Sequence, residues 1–555
     1  MSNYLHDHIE NRAHQSEPIP GTSENNAGGQ SFAVDCWTRL NRFLVLGAEG
    51  GTYYVSERDL VSKNVKCVAE CIKEDGERTV NVITDISTAG RAPKNDPALL
   101  ALAMCSAAED DRTRQLAFTA LPKVARIGTH LFQFAGFMKK FRGWGRAART
   151  AIGDWYLAKE ADQLAYQMAK YGSRDGYSHR DLLRLSHPEV KDLSAEKQPA
   201  MRALFQWAVN GAYSDDLPDI IKCVEHLKKL PPSEGRRGLT RNASIETTTA
   251  MIKAHNVSRE MLPTEMLNEP EIWNALLDRM PMTAIIRNLG KMTSNGVITD
   301  RYADVVSRIK NAEALQKARV HPLTLLTALH QYGRGHGDRG SLSWTPHGAV
   351  VQALDDAFYL SFPNHQGAGK RILVALDVSG SMGVQIAGSP LDCRQASAAM
   401  ALITMATEPE HEVIGFTSAG SNYFTHEAGR SWGGRSGVAE LPISPKMRLQ
   451  EVVQKISGLP FGGTDCALPM IYAAERKKAF DGFVVYTDSE TWAGSVHPSE
   501  ALKAYRSMTG IDAKLVVVGM TSNGFSIADP NDAGMLDCVG FDVSTPQIIS
   551  DFIRG

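Results

Sequence analysis

From about Phe32 to Phe362, apolar residues return every three or four positions, the spacing of helices that each bury one face. Between Trp155 and Lys170, Leu157, Ala161, Leu164, Ala165 and Met168 share one side, while Lys159, Asp162, Gln163 and Gln167 fill the other. That pattern predicts one amphipathic helix. Further helices are predicted over Pro97–Ala107, Met201–Asn210, Glu271–Met280, Thr283–Met292 and Pro322–Tyr332, joined by short turns carrying Pro or Gly. So long a run without a block of strands predicts paired helices stacked side by side, about seven pairs of about 40–47 residues each. An irregular all-helical domain fits the same pattern, because no crisp repeat stands out.

Near Gly367 the pattern changes. Short apolar runs of strand length appear at Arg371–Asp377, Glu412–Phe416, Gly482–Thr487 and Lys514–Gly519, with helical stretches at Cys393–Thr407, Met447–Ile456 and Asp465–Lys478 between them. Alternation of buried strands and helices predicts an α/β domain with a mainly parallel sheet, whose ligands gather at the carboxyl ends of the strands. The expected organisation is a flexible arm over residues 1–31, an α-helical module over 32–366 and an α/β domain over 367–555.

Composition narrows the class. The 43% hydrophobic and 22% charged fractions are those of a globular protein, and 555 residues suggest about two to four structural units. The formal charge of −2 gives no global argument for nucleic acid, so any such argument has to be local. Eight cysteines without CxxC or zinc-ligand spacing read as reduced thiols of the cytosol or nucleus. The polar stretch Met1–Gln30 lacks the apolar core of a signal peptide and reads as a loose arm, and no apolar run reaches membrane-spanning length.

The first strand of the α/β domain ends in Asp377-Val-Ser379-Gly-Ser381. Alternate residues of an extended segment point the same way, so one carboxylate and two hydroxyls converge. Thr464, in a glycine loop before a helix, and Asp488, after the strand Gly482–Thr487, arrive at the same rim. Five hard oxygens suit a divalent cation of the magnesium type with an open position for an acidic partner group. A lone D-x-S-x-S is equally a turn with an Asp cap; Thr464 and Asp488 in order make the metal reading the better one.

Between Arg112 and Gly153 there is no Asp or Glu, yet Arg112, Arg114, Lys123, Arg126, Lys139, Lys140, Arg142, Arg146 and Arg149 fall inside. Polyphosphate chains are the natural partner of such a segment. Trp144 in its densest part either stacks on a base or anchors a core turn. Further on, Ser178 and Asp181 form an expected helix start, and Arg180, Arg184 and His187 fall within about 60° of one another on one face, with Leu182 and Leu185 opposite. Lys170 and Arg174 lead into that helix. A solvated face and a nucleic-acid surface remain as alternatives.

Several of these segments resemble one family. Asn41–Tyr54, Arg91–Pro97, Gly143–Arg149 with Asp154-Trp-Tyr156, His179–His187 and Arg287–Lys291 resemble the TROVE module of the Ro ribonucleoprotein autoantigen family, and Gly462–Pro469 with Thr487–Gly494 resemble its von Willebrand A domain, in the same order and from roughly Phe32 to the end. The resemblance implies a ring of HEAT-like helical repeats followed by a Rossmann-like von Willebrand A domain that closes it. In this domain Asp377, Ser379, Ser381, Thr464 and Asp488 would form a metal-ion-dependent adhesion site. It also implies a monomeric, non-enzymatic RNA-binding protein of the cytosol, and in a eukaryote also of the nucleus. Its partners would be small noncoding Y-like RNAs on the outer surface and single-stranded ends of misfolded RNAs in the central hole, in RNA quality control and stress response. Lys170, Arg174, Arg180, Arg184 and His187 would then contact RNA, with Arg126, Lys139, Lys140, Arg142 and Arg146 near the same surface. Asp175 beside Arg174 is a departure that weakens the local field. The contrasting reading is an adhesion-type scaffold in which the metal site binds a protein and the basic helices are incidental. A metallohydrolase is disfavoured, because the chain has no phosphate-binding G-x-x-x-x-G-K-[ST] loop and no H-E-x-x-H.

Overall fold

A computed structural model describes residues 12–230, 239–337, 341–362, 366–386, 389–418, 437–457 and 462–555. Its first half is a succession of helices in which alternate members stack. Helix Gly76–Ala89 packs on Asp111–Val124, that on Arg146–Leu157, and that on His179–Ser186, while Asp96–Cys105 packs on Gly128–Phe141 in the other layer. The seams are dry: Leu99, Leu102, Leu131, Phe132, Phe134 and Trp155 are fully buried. Two layers of alternating helices bury a continuous core that no pair could form alone.

The helix expected over Trp155–Lys170 is two, Arg146–Leu157 and Ala161–Lys170. The break is set by side chains rather than by a Pro or Gly. Lys159 Nζ folds back 3.3 Å over the Trp155 ring and donates to the Trp155 carbonyl (3.0 Å), and the Glu160 carboxylate pairs with Lys197. A short hairpin, β3 (Ser173–Arg174) with β4 (Tyr177–Ser178), interrupts the helices and packs on Gly128–Phe141.

The second unit is a six-stranded sheet in the order β11-β9-β8-β5-β6-β7, with β5 Ile372–Asp377, β6 His411–Phe416, β7 Val438–Glu440, β8 Gly482–Thr487, β9 Lys514–Gly519 and β11 Met535–Val539. All neighbours are parallel except β6 and β7. Strands β5 and β8 are buried along their whole length, as central strands covered on both faces must be. The four predicted strands are present; the edge strands β7 and β11 were not predicted.

Residues 12–31, expected as a loose arm, are packed; residues 1–11 lie outside the described residues. Strand β1 (Thr22–Glu24) pairs with β2 (Gln30–Ala33), and β2 pairs with β10 (Phe525–Ser526), so the amino-terminal hairpin joins a small sheet with the carboxyl-terminal unit. Arg12 pairs with Glu500 and the Glu17 carbonyl meets His497 Nε2 at 2.8 Å. A polar composition hid this, because the docking uses backbone and amide groups in place of an apolar face.

The helical run begins and ends on the same α/β domain, which closes it. Arg42, fully buried in helix Cys36–Leu46, reaches Asp537 Oδ2 (2.5 Å) and Phe525 O (2.7 Å), and Arg91 Nε reaches Asp542 (3.0 Å). From the other end, the Leu449 amide donates to Asp355 Oδ1 (2.9 Å) and Thr327 Oγ1 to Ser389 Oγ (3.3 Å). At the junction, His321 Nε2 lies 3.0 Å from the Arg91 carbonyl and 2.8 Å from that of Phe541, joining early helices, late helices and the sheet.

Candidate functional site

Three of the basic residues line one cleft, the others lie outside its lining, and one is turned inward. A cleft of about 1120 Å³ is lined by Lys139, Lys140 and Phe137 of helix Gly128–Phe141, Trp144 after it, Asp175 to Tyr177 of the hairpin, and Asp181, Arg184 and Leu185 of the next helix. Two segments that the sequence marked separately as basic therefore face one another. Helix His179–Ser186 starts with the expected capping box: the Asp181 amide donates to Ser178 Oγ (3.3 Å), and the Ser178 amide donates to Asp181 Oδ2 (2.9 Å). Its buried side carries His179, Leu182 and Leu183; Leu185, expected there, looks into the cleft beside Arg184. His179 meets the Tyr156 hydroxyl at 2.9 Å, and burial drives its pKa down to about 3, so this histidine braces the helix in neutral form.

Arg180, Arg184 and His187 are exposed on that helix or at its end, and Lys139, Lys140, Arg142 and Arg146 are exposed as well, the two lysines in the cleft lining. Arg142 spends one donor on the Ser106 carbonyl (2.5 Å) and rests over Phe118. Arg174 is exposed on the hairpin with Asp175 at 3.7 Å. Lys170, half-buried, lies over the rings of Tyr166 and Tyr171 beside Ser258 and Arg259, away from the cleft lining. Arg126 is the exception. Its Nη1 donates to the Ser87 carbonyl (2.9 Å) and Oγ (2.8 Å), and burial, then the Arg319 charge, lower its pKa, so it braces the interior. Within the acid-free stretch, Arg112 and Arg114 find carboxylates outside it, Glu77 and Asp111. Trp144 is half-buried, 6.1 Å centroid to centroid from Tyr177, and forms a wall of the cleft. Tyr177 was not singled out by the sequence reading; an aromatic beside a basic stripe was its only signal.

At the carboxyl ends of β5 and β8, Asp377, Ser379, Ser381, Thr464 and Asp488 are each 0–2% exposed. The Ser379 amide and Thr487 Oγ1 donate to the two Asp377 oxygens (2.9 and 2.6 Å), and the Ser379 and Ser381 hydroxyl oxygens lie 3.2 Å apart. The Gly380 amide donates to the Gly462 carbonyl (3.2 Å), and the Trp492 and Ala493 amides to that of Thr464 (3.1 and 2.9 Å), so the three loops are laced together. Thr464 Oγ1 and Asp488 Oδ2 are buried with no hydrogen-bond partner. Burial, then the Asp377 and Glu490 charges, push Asp488 up to about 8. Two facing carboxylates and orphaned oxygens fit a hard cation. Among the described residues no group of three His, Cys, Asp or Glu is arranged for a metal, which leaves this mixed carboxylate–hydroxyl set as the oxygen-rich candidate. Arg394, buried beside it, reaches the Ser379 carbonyl at 3.3 Å. The sequence reading missed Glu490 and Asp465, buried carboxylates close in sequence to Asp488 and Thr464.

A closed array of stacked helices with a cationic, aromatic-walled cleft, sealed by a von Willebrand A-type domain, defines the class. The TROVE domain family model matches residues 23–220 and 244–332, and that of the Ro60 vWA domain matches residues 371–553. The chain belongs to the RO60 family. The RNA-binding protein RO60 of Caenorhabditis elegans is 37% identical over 96% of this chain and 90% of its own length, and that of Deinococcus radiodurans is 38% identical over 96% and 95%. The crystal structure of the Deinococcus radiodurans RO (RSR) protein aligns with a TM-score of 0.67 at 37% identity, over 94% of this chain and 100% of that one.

Proposed function

We propose that this protein binds small noncoding RNA of the Y type along the cleft between helices Gly128–Phe141 and His179–Ser186, and single-stranded ends of misfolded RNAs as well. It does so as a monomeric ring in the cytosol, in RNA quality control and stress response, by binding rather than by catalysis. One observation carries the reading: Lys139, Lys140 and Arg184 line a single cleft with Trp144 and Tyr177. Cations take the phosphates, and aromatic walls take bases splayed from loops and ends. The relatives, named as RNA-binding proteins, agree with it. Reversing two exposed charges, Arg180→Glu with Arg184→Glu, should weaken binding of a structured small RNA by about tenfold or more at about 0.15 M salt. The circular dichroism spectrum should stay unchanged. Undiminished RNA affinity in that variant would sink the assignment.

Asp377, Ser379, Ser381, Thr464 and Asp488 are the residues we propose to hold a divalent cation, best of all magnesium. The ion would supply positive charge that neutralises the facing carboxylates and a coordination position for one further oxygen. An adhesion-type scaffold without RNA would leave the cationic cleft without a purpose.

A further inference from the structure

The loops that carry the metal ligands are gripped by residues from the far end of the chain. Asn523 donates from Nδ2 to the Asp488 carbonyl (2.6 Å) and to Glu490 Oε1 (3.0 Å), while its Oδ1 accepts from Arg42 Nη1 (3.1 Å). A buried guanidinium of the first helix is thus one side chain away from the backbone of a ligand. The turn between β1 and β2 lies on the segment that follows Asp488. The backbone N–H and side-chain amide of Asn26 hold both Glu490 oxygens (2.9 and 2.6 Å), and Asn25 Nδ2 donates to the Thr491 carbonyl (2.7 Å). Gly29 is pressed so close that a Cβ there would sit 2.1 Å from the Thr491 oxygen, so only glycine allows the approach. A Cβ on Gly463, next to Thr464, would come within 2.6 Å of the Trp492 ring.

A free adhesion site has no need of such grips, whereas a coupling device needs them. We infer that Asn523, backed by Arg42 and Asn26, is a positioning residue of the metal site, through which cation binding and docking of the amino-terminal hairpin and of helix Cys36–Leu46 form one coupled equilibrium. The inference rests on the magnesium reading given above. Without a cation, Thr464 Oγ1 and Asp488 Oδ2 stay buried without a hydrogen-bond partner; a cation satisfies both oxygens and so orders the segment that Asn523 and the hairpin hold. Linkage is reciprocal, so the docked ring must bind the ion more tightly than the loosened one by the same factor.

The full chain, stripped with chelator and titrated with MgCl2 at matched ionic strength, gives two readouts: hydrogen–deuterium exchange over residues 22–46, and the magnesium affinity itself. We expect magnesium to slow exchange in residues 22–46 about tenfold, Asn523→Ala to weaken magnesium binding about tenfold and abolish that response, and the milder Asn26→Ala to weaken binding about threefold. Magnesium binding that leaves exchange in residues 22–46 unchanged would overturn the coupling and leave the metal site standing, as would wild-type magnesium affinity in both variants. No magnesium binding that depends on Asp377 would overturn both.

Discussion

Asp175 shows why charges counted along a chain mislead. With φ of 51°, beside Gly176 at 79°, it occupies the two-residue turn between β3 and β4, where both central residues need positive φ and Asp-Gly is a favoured pair. Its place is thus dictated by the backbone. Its half-exposed pairing with Arg174 is of a kind worth only about 0–1 kcal/mol, so the cationic field loses little. Arg126 errs in the opposite direction. It reads as one more cation in an acid-free stretch, but its partner is Ser87, 39 positions upstream, and nothing local in the sequence announces that bond. Asp377, Ser379 and Ser381 were legible as a candidate oxygen set because D-x-S-x-S places its oxygens by covalent geometry, while the Asn523 brace depends on a tertiary approach. At this scale the ion makes a direct prediction. At a magnesium concentration about 100 times the dissociation constant, the wild type should gain about 2.7 kcal/mol of stability and Asp377→Ala none, read as the shift of melting temperature on adding MgCl2. An equal upward shift in both would remove Asp377 from the site.

Among elements, helix His179–Ser186 is too short to persist alone. It is held by its capping box and by His179, Leu182 and Leu183 beneath it, and so holds Arg180 and Arg184 in register. Ser178→Ala should cost about 1 kcal/mol in urea denaturation and weaken RNA binding about threefold, since the arginines lose alignment but keep their charge. Unchanged affinity at reduced stability would show that the leucines alone align the helix. Period and caps made such elements readable: Cys393–Thr407, Gly482–Thr487 and Lys514–Gly519 fall where the pattern puts them. What escaped is what packing decides. The break at Ala158–Glu160 has no Pro or Gly to mark it, and β1 and β7 are strands of three residues, too short to show an alternating pattern.

For the molecule as a whole, closure concentrates on His321. Its Nε2 faces the carbonyls of Arg91 and Phe541, and its Nδ1 accepts from the Leu323 amide (3.1 Å), so the neutral ring protonated at Nε2 satisfies every partner. Burial, the largest effect, pulls its pKa from 6.5 down to about 4. Protonation is thus disfavoured in the folded state, and the stability this histidine contributes is fully present above about pH 6.5 and lost as pH falls towards about 4. A depression of this size is worth on the order of 3 kcal/mol. His321→Gln should flatten the fall in melting temperature between pH 6.5 and 4 relative to the wild type; parallel profiles would clear His321 of the acid response.

The docking of β2 on β10 and of Arg42 on Asn523 has a temporal consequence. The latter contact joins groups 481 positions apart, so a nascent chain can stack its helices one after another while β2 still lacks β10 beside it. Local helix stacking is fast and this closing step slow, which leaves the growing polypeptide an open arc until the segment around Asn523 and Phe525 has been made.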